Sequence, residues 1–226
     1  MLRLLTALLA ALALGLSACG DDDDGSSGGS TEADAPAQTE EQAAGCSDVP
    51  APEPKQDGGE AKPKDKLAAG KTYEVIMETS CGTFAFELDQ KTSPNTAASF
   101  ASLVEKGFFD GLTFHRVVPG FVIQGGDPTG VGAGGPGYST RDVPPRDARY
   151  VKGVVAMAKA PNEPKGTSGS QFYVVSGADA GLTPDYALLG KVTSGIDVVE
   201  LIDQQGVGDG PPGIPIVIEK ATLEES

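Results

Sequence analysis

The chain carries one histidine, His115, directly before Arg116, and three cysteines, Cys19, Cys46 and Cys81. Zinc sites draw on several His and Cys ligands, and a hydrolase triad needs a His between a nucleophile and an acid. Neither is at hand, so no metal and no cofactor is expected. Two glycine-rich stretches invite a nucleotide reading and fail it. Gly132-Ala133-Gly134-Gly135-Pro136-Gly137 fits G-x-G-x-x-G, but such a fingerprint must leave a strand and open a helix; Pro136 interrupts it and Pro144-Pro145 follow. Gly70-Lys71-Thr72 has Asp65 where a phosphate loop needs Gly. Any chemistry here must run largely without a His–Cys cluster.

Arg116 lies in Phe114-His115-Arg116-Val117-Val118-Pro119-Gly120-Phe121-Val122-Ile123-Gln124-Gly125-Gly126-Asp127. This stretch closely resembles the signature of the cyclophilin family of peptidyl-prolyl cis-trans isomerases. Gly169-Ser170-Gln171-Phe172-Tyr173-Val174-Val175 resembles the family's second core motif, and Gly190-Lys191-Val192 its third. The resemblance runs in order from about Tyr73 to the C-terminus. It implies a mostly β fold, a closed eight-stranded antiparallel barrel capped by two α-helices. It also implies an isomerase acting on proline-containing polypeptides. Rotation about an X–Pro bond faces a barrier of about 20 kcal/mol because amide resonance must break. A pocket that grips the ring, with a cation that stabilises the twisted amide, lowers that barrier with no bond made or cleaved.

Carried over by resemblance, Arg116 is the catalytic cation. Phe121, Val122, Tyr173 and Leu182 wall the proline pocket, and Gln124 steadies the guanidinium and bonds the substrate backbone. Gln171, in the second motif, and Tyr186, where eukaryotic members have His, count with the substrate-binding residues. Ala158 and Lys159 fall where the family pairs edge to edge with the peptide; many members have Asn at the second position, which leaves the Lys159 side chain without an assigned role. Gly181 stands where some members have Trp. Isomerisation moves no proton, so His115 reads as structural.

The elements that must hold these residues are visible as periodicities. Tyr73–Glu78 and Thr83–Leu88 alternate as a hairpin; Ser93-Pro94 opens a helix with apolar residues at Ala97, Phe100, Ala101 and Val104, stopped by Gly107. Short strands are expected at 113–118, 121–124, 154–158, 172–176 and 188–192, then a helix over 196–204 and a strand over 214–223. This is the domain, 71–226. Many short strands with two helices argue for a barrel or sandwich.

Residues 1–18 read as a lipoprotein signal peptide: Arg3, an apolar run from Leu4 to Leu16 too short to span a bilayer, and Leu16-Ser17-Ala18-Cys19, which resembles a bacterial lipobox. Cys19 is the expected lipidation site, anchoring the protein outside the cytoplasm at the bacterial cell membrane. Residues 20–70 hold 13 acidic and 4 basic residues and no aromatics, so 19–70 is expected to be a lipidated terminus followed by a disordered acidic linker. The net charge of −15 lacks the clustered Lys and Arg that nucleic acid requires. The resemblance implies proline-containing unfolded or exported chains as partners, the leader implies the membrane, and the protein itself is expected to be a monomer. An exported chain with two remaining cysteines favours a Cys46–Cys81 disulfide, with two free thiols as the alternative. A noncatalytic proline-peptide-binding chaperone on the same barrel is the competing function.

Overall fold

A computed structural model describes residues 45–226. The signal peptide, Cys19 and the first part of the linker lie outside the described residues.

The chain opens with the expected hairpin, β1 (Tyr73–Thr79) and β2 (Gly82–Leu88), in which Tyr73, Val75, Met77, Phe84 and Phe86 point inward. Helix α1 (Pro94–Glu105) follows. Strands β3 (Leu112–Thr113), β4 (Arg116–Val118), β5 (Val122–Gly125), β6 (Thr140–Arg141), β7 (Val154–Met157), β8 (Thr167–Ser168), β9 (Phe172–Val175) and β10 (Leu188–Ser194) come next. Helix α2 (Ile196–Asp203) and β11 (Val217–Glu225) complete the order. The last strand starts later than its apolar run suggests, because Pro211, Pro212 and Pro215 supply no N–H to a ladder. It runs on to Glu225, which pairs with Tyr73.

Nine strands form one antiparallel sheet in the order β3-β11-β1-β2-β10-β7-β9-β5-β4, and β6 and β8 form a separate pair. The two edges of the large sheet, β3 and β4, are consecutive in the chain. Leu112–Val118 is thus one bent segment whose first half pairs with β11 and whose second half pairs with β5. The Phe114 N–H continues the first ladder by donating to the Ile216 carbonyl at 2.9 Å. Counted as one strand, that segment restores the expected eight and curls the sheet back on itself. The β6–β8 pair was not anticipated, being two residues long on each side.

The interior is aromatic. Phe84, Phe86, Phe100, Phe109, Phe114 and Phe172 are almost wholly buried, with Phe100 stacked on Phe109 at 4.4 Å and edge-on to Phe172 at 5.4 Å. Helix α1 contributes Ala97, Phe100, Ala101 and Val104 to this core, and α2 contributes Val198, Val199 and Ile202.

The cap of α1 corrects the expectation for Ser93, whose side chain makes no cap bond. The acceptor comes from far along the chain: the buried Asp142 carboxylate takes the Thr96 N–H at 2.7 Å, the Thr96 hydroxyl at 2.8 Å and the Asn95 side-chain amide at 2.6 Å. A carboxylate serves a helix N-terminus better than a hydroxyl because it also meets the positive end of the dipole.

The expectation of a disordered linker over 19–70 fails for residues 45–70. They form no helix or strand, yet they lie along the domain, joined at one end by a Cys46–Cys81 disulfide. Backbone bonds continue the attachment, from Ser47 N–H to the Ser80 carbonyl, Lys55 N–H to that of Pro128, Gly58 N–H to that of Gly135 and Glu60 N–H to that of Pro136. Leu67 packs against the core. Polar side chains add to the attachment, with Lys55 Nζ donating to the Phe108 carbonyl, Lys62 Nζ to that of Ser139, and Asp57 accepting the Gly135 N–H, and composition reports none of these bonds. Cys81, at the β1–β2 turn, is buried.

Candidate active site

The β4–β5 turn is Val118-Pro119-Gly120-Phe121, closed by a 3.0 Å bond from the Phe121 N–H to the Val118 carbonyl. Proline fixes the first central residue and Gly120, at φ 68°, supplies the left-handed second one. That turn sets a register in which Arg116 faces Gln124; Gln124 faces Tyr173, and Tyr173 faces Ala156 on the next strand. Side chains on paired residues share a face and alternate every two residues. Val122, Gln171 and Ala158 therefore belong to the same outward face as Arg116, Gln124 and Tyr173.

Within this face Val122, Tyr150, Ala156, Tyr173 and Val175 form a buried apolar cluster, with Phe121, Ala158, Leu182 and Tyr186 packed against it. Each wall residue named from sequence joins it. Tyr150 was missed, because it is an isolated aromatic between loop residues. Its hydroxyl donates to the Tyr186 carbonyl at 2.6 Å and accepts from the Tyr186 N–H at 3.1 Å. The rings of Tyr150 and Tyr173 meet Tyr186 edge-on at 5.9 and 5.8 Å. Burial pushes the Tyr150 hydroxyl up to about 12 and raises that of Tyr173 well beyond its usual range. The Tyr173 hydroxyl is buried without a partner among the described residues.

A polar chain runs beside that cluster. Arg116 Nη1 donates to Gln124 Oε1 at 3.2 Å, Gln124 Nε2 to Gln171 Oε1 at 3.1 Å, and Gln171 Nε2 to the Gly134 carbonyl at 2.9 Å. Because its Oε1 accepts from arginine, the Gln124 amide has only one orientation that completes the chain. On its other side Arg116 donates from Nε and Nη2 to Asp209 at 2.5 and 3.0 Å. The guanidinium also sits 5.9 Å from the Phe121 ring centre. Asp209 carried no sequence signal, since it is one acid in a loop of glycines and prolines.

His115 Nε2 lies 3.4 Å from Gln124 Nε2. Burial lowers the His115 pKa; the Asp127 charge opposes that and the Arg116 charge adds to it. A neutral imidazole beside a permanent cation fits the structural reading. Lys159 sits with Nζ 5.6 Å from the Tyr186 ring centre and donates to the carbonyls of Ala160 and Glu163, so its ammonium serves its own loop.

The rejected glycine motif does bind an anion, but an internal one. The N–H groups of Thr129, Val131, Gly132, Ala133 and Gly134 converge on the Asp127 carboxylate at 2.5–3.1 Å. A Cβ at Gly134 would come within 2.4 Å of Asp127 Oδ1, so only glycine fits there. Burial pushes the Asp127 carboxyl up, and the hydrogen bonds from Thr129, Gly134 and Gly132 outweigh it, leaving the carboxyl below its usual range. This nest is occupied by the chain itself, and its outer carbonyl at Gly134 supports Gln171.

A cleft of about 610 Å³ lies apart from these residues, lined by Glu87, Asp89, Arg149 and Lys191 among others. It takes in the third motif, Gly190 to Val192, and charges of both signs, but neither Arg116 nor any of Phe121, Val122, Tyr173 and Leu182, which sets it aside. Gly181, at φ 62°, lies in the left-handed region where a bulky residue is strained.

The profile described as "Cyclophilin type peptidyl-prolyl cis-trans isomerase/CLD" matches residues 74–223. Among curated proteins, peptidyl-prolyl cis-trans isomerase B of Bacillus subtilis is 45% identical over 113 residues, covering 50% of this chain and 77% of its own length. A peptidyl-prolyl cis-trans isomerase of Helicobacter pylori is 37% identical over 137 residues, covering 59% of this chain and 82% of its own. The crystal structure of a Cryptosporidium parvum cyclophilin type peptidyl-prolyl cis-trans isomerase superposes with a TM-score of 0.62 at 28% identity, covering 68% of this chain and 98% of that one.

Proposed function

The chain belongs to the cyclophilin-type peptidyl-prolyl cis-trans isomerase family, and we propose that it speeds X–Pro rotation in exported polypeptides while tethered outside the cytoplasm. The observation that carries the enzymatic part is a fixed cation beside an apolar wall: Arg116, held on two sides, next to the cluster of Phe121, Val122, Tyr173 and Leu182. The proline ring packs against that wall. The preceding carbonyl stays free to swing. Of the five guanidinium N–H groups, two go to Asp209 and one to Gln124, which leaves two to meet the prolyl carbonyl and nitrogen as the amide twists.

A donor aimed at the twisted amide acts on the transition state more than on the bound substrate. Four powers of ten in rate ask for about 5–6 kcal/mol in all. Gln124 and Gln171 position Arg116 and reach the peptide backbone. The Ala158 N–H donates to the Gln171 carbonyl at 2.9 Å, so strand-like pairing with the peptide falls to its carbonyl and to the backbone of Lys159. The export role rests on the leader and Cys19, whose acyl chains would hold the domain at the membrane.

An isomerase assay by NMR exchange on the purified full-length protein tests the reading. Acceleration is expected, and Arg116→Ala should lower kcat/KM at least tenfold, about 1.4 kcal/mol, with a smaller change in peptide affinity. Peptide binding without acceleration would leave a noncatalytic chaperone, and a folded Arg116→Ala protein as fast as wild type would remove Arg116 from its role. Cys19→Ser should shift the protein from the membrane to the soluble fraction.

A further inference from the structure

We propose that Asp209 is a positioning residue that aims the Arg116 guanidinium at the twisted amide; this rests on the catalytic role given to Arg116 above. Asp209 takes the side edge of the fork through Nε and Nη2, while Gln124 takes Nη1 from the opposite side. Two acceptors on opposite sides of one planar group fix both its plane and its rotation. Gln124 alone would leave it free to pivot about a single bond.

The loop that carries Asp209 is itself anchored on both sides. The next residue, Gly210, accepts the Val117 N–H at 2.8 Å, so Asp209 starts beside the strand that bears Arg116. The loop is closed by the Gly213 N–H on the Gln205 carbonyl at 2.8 Å. At its start, the Asp203 carboxylate accepts the Gly120 N–H at 3.0 Å and the Ser176 hydroxyl at 2.6 Å, which ties the end of α2 to the Pro-Gly turn of the catalytic hairpin. The acceptor and the cation therefore share one rigid frame.

This ion pair is poorly placed to stabilise the fold. The Arg116 side chain is 30% exposed and that of Asp209 is 66% exposed, and pairs so open to water contribute little to stability. A reason for a two-pronged contact there lies in orientation, to which transition-state stabilisation is steeply sensitive. Arg116 in turn holds the Asp209 carboxyl below the usual carboxylate range, so the pair stays ionised at neutral pH.

The test compares Asp209→Ala and Asp209→Asn in the full-length protein, alone and with Arg116→Ala, by NMR exchange and thermal melting. Asp209→Ala should lower kcat about five- to tenfold with KM within roughly twofold, and Asp209→Asn, which keeps one acceptor, should recover part of the loss. The melting temperature should not move. With Arg116 already removed, Asp209→Ala should change nothing further. Unchanged or faster turnover in Asp209→Ala, or the same loss with Arg116 absent, would overturn the assignment. A wild-type protein without isomerase activity, or Arg116→Ala at wild-type speed, would overturn the earlier reading together with this one.

Discussion

Strands β7 and β9 serve two regions at once, and their two faces differ in kind. Inward, Val155, Met157, Phe172 and Val174 join the barrel core, where Phe172 meets Phe86, Phe100, Phe109 and Phe114. Outward, Ala156, Tyr173 and Val175 join a cluster that ends in tyrosine hydroxyls and borders the polar chain to Arg116. The inner face is sealed by hydrocarbon on every side, whereas the outer face stops short of sealing itself. Neighbours one residue apart thus fall into the core or onto the outward face by parity alone.

Substitutions of adjacent residues can break that comparison. The largest effect is expected from Phe172→Ala, which empties the centre of the aromatic core and should cost about 3–5 kcal/mol in urea unfolding. If it unfolds like a surface variant, the two faces do not divide the labour as described. Reduction of the Cys46–Cys81 bond, which closes a separation of 35 residues, should cost at most about 3–4 kcal/mol, less whatever structure the strap retains. Both cysteines pack with the core cluster, so kcat/KM should stay within roughly twofold of the oxidised protein, far less than the loss from removing a group that acts in the transition state. A large drop in rate on reduction would join the strap to the outer region instead. The smallest effect belongs to Tyr173→Phe. Its hydroxyl is buried without a partner among the described residues, so its loss should leave stability unchanged or raise it by up to about 1 kcal/mol, with isomerase activity retained. A marked loss of activity would show that the hydroxyl meets the substrate.

The outward row was legible through resemblance to short contiguous motifs, and strand alternation with a Pro-Gly turn then accounts for why its members share one face. Arg116, Val122, Gln124, Gln171 and Tyr173 all come from such segments. The strap was not legible, because hydrogen bonds from Gly58 and Glu60 to the glycine-rich loop depend on backbone placed by the rest of the fold. The same holds for Asp142, which caps α1 from 46 residues beyond Thr96. Asp209 reaches Arg116 across a sequence separation of 93, and nothing in its glycine-rich surroundings marks it. Nor did the spacing of Gly132–Gly137 reveal that its anion would be Asp127. Contacts between residues distant in sequence leave no period to read.

The bent segment Leu112–Val118 carries Arg116 and also closes the sheet, pairing through β3 with β11 at the far end of the chain. A chain emerging from synthesis therefore presents Arg116 long before β11 and Asp209 arrive. Such closure by distant segments is slow compared with local hairpin formation. Turnover thus reports on completion of the whole domain: a molecule still waiting for its last strand holds the sequence of the site without its geometry. A chain cut short before β11 would be silent even though each residue of the outward row had already been made.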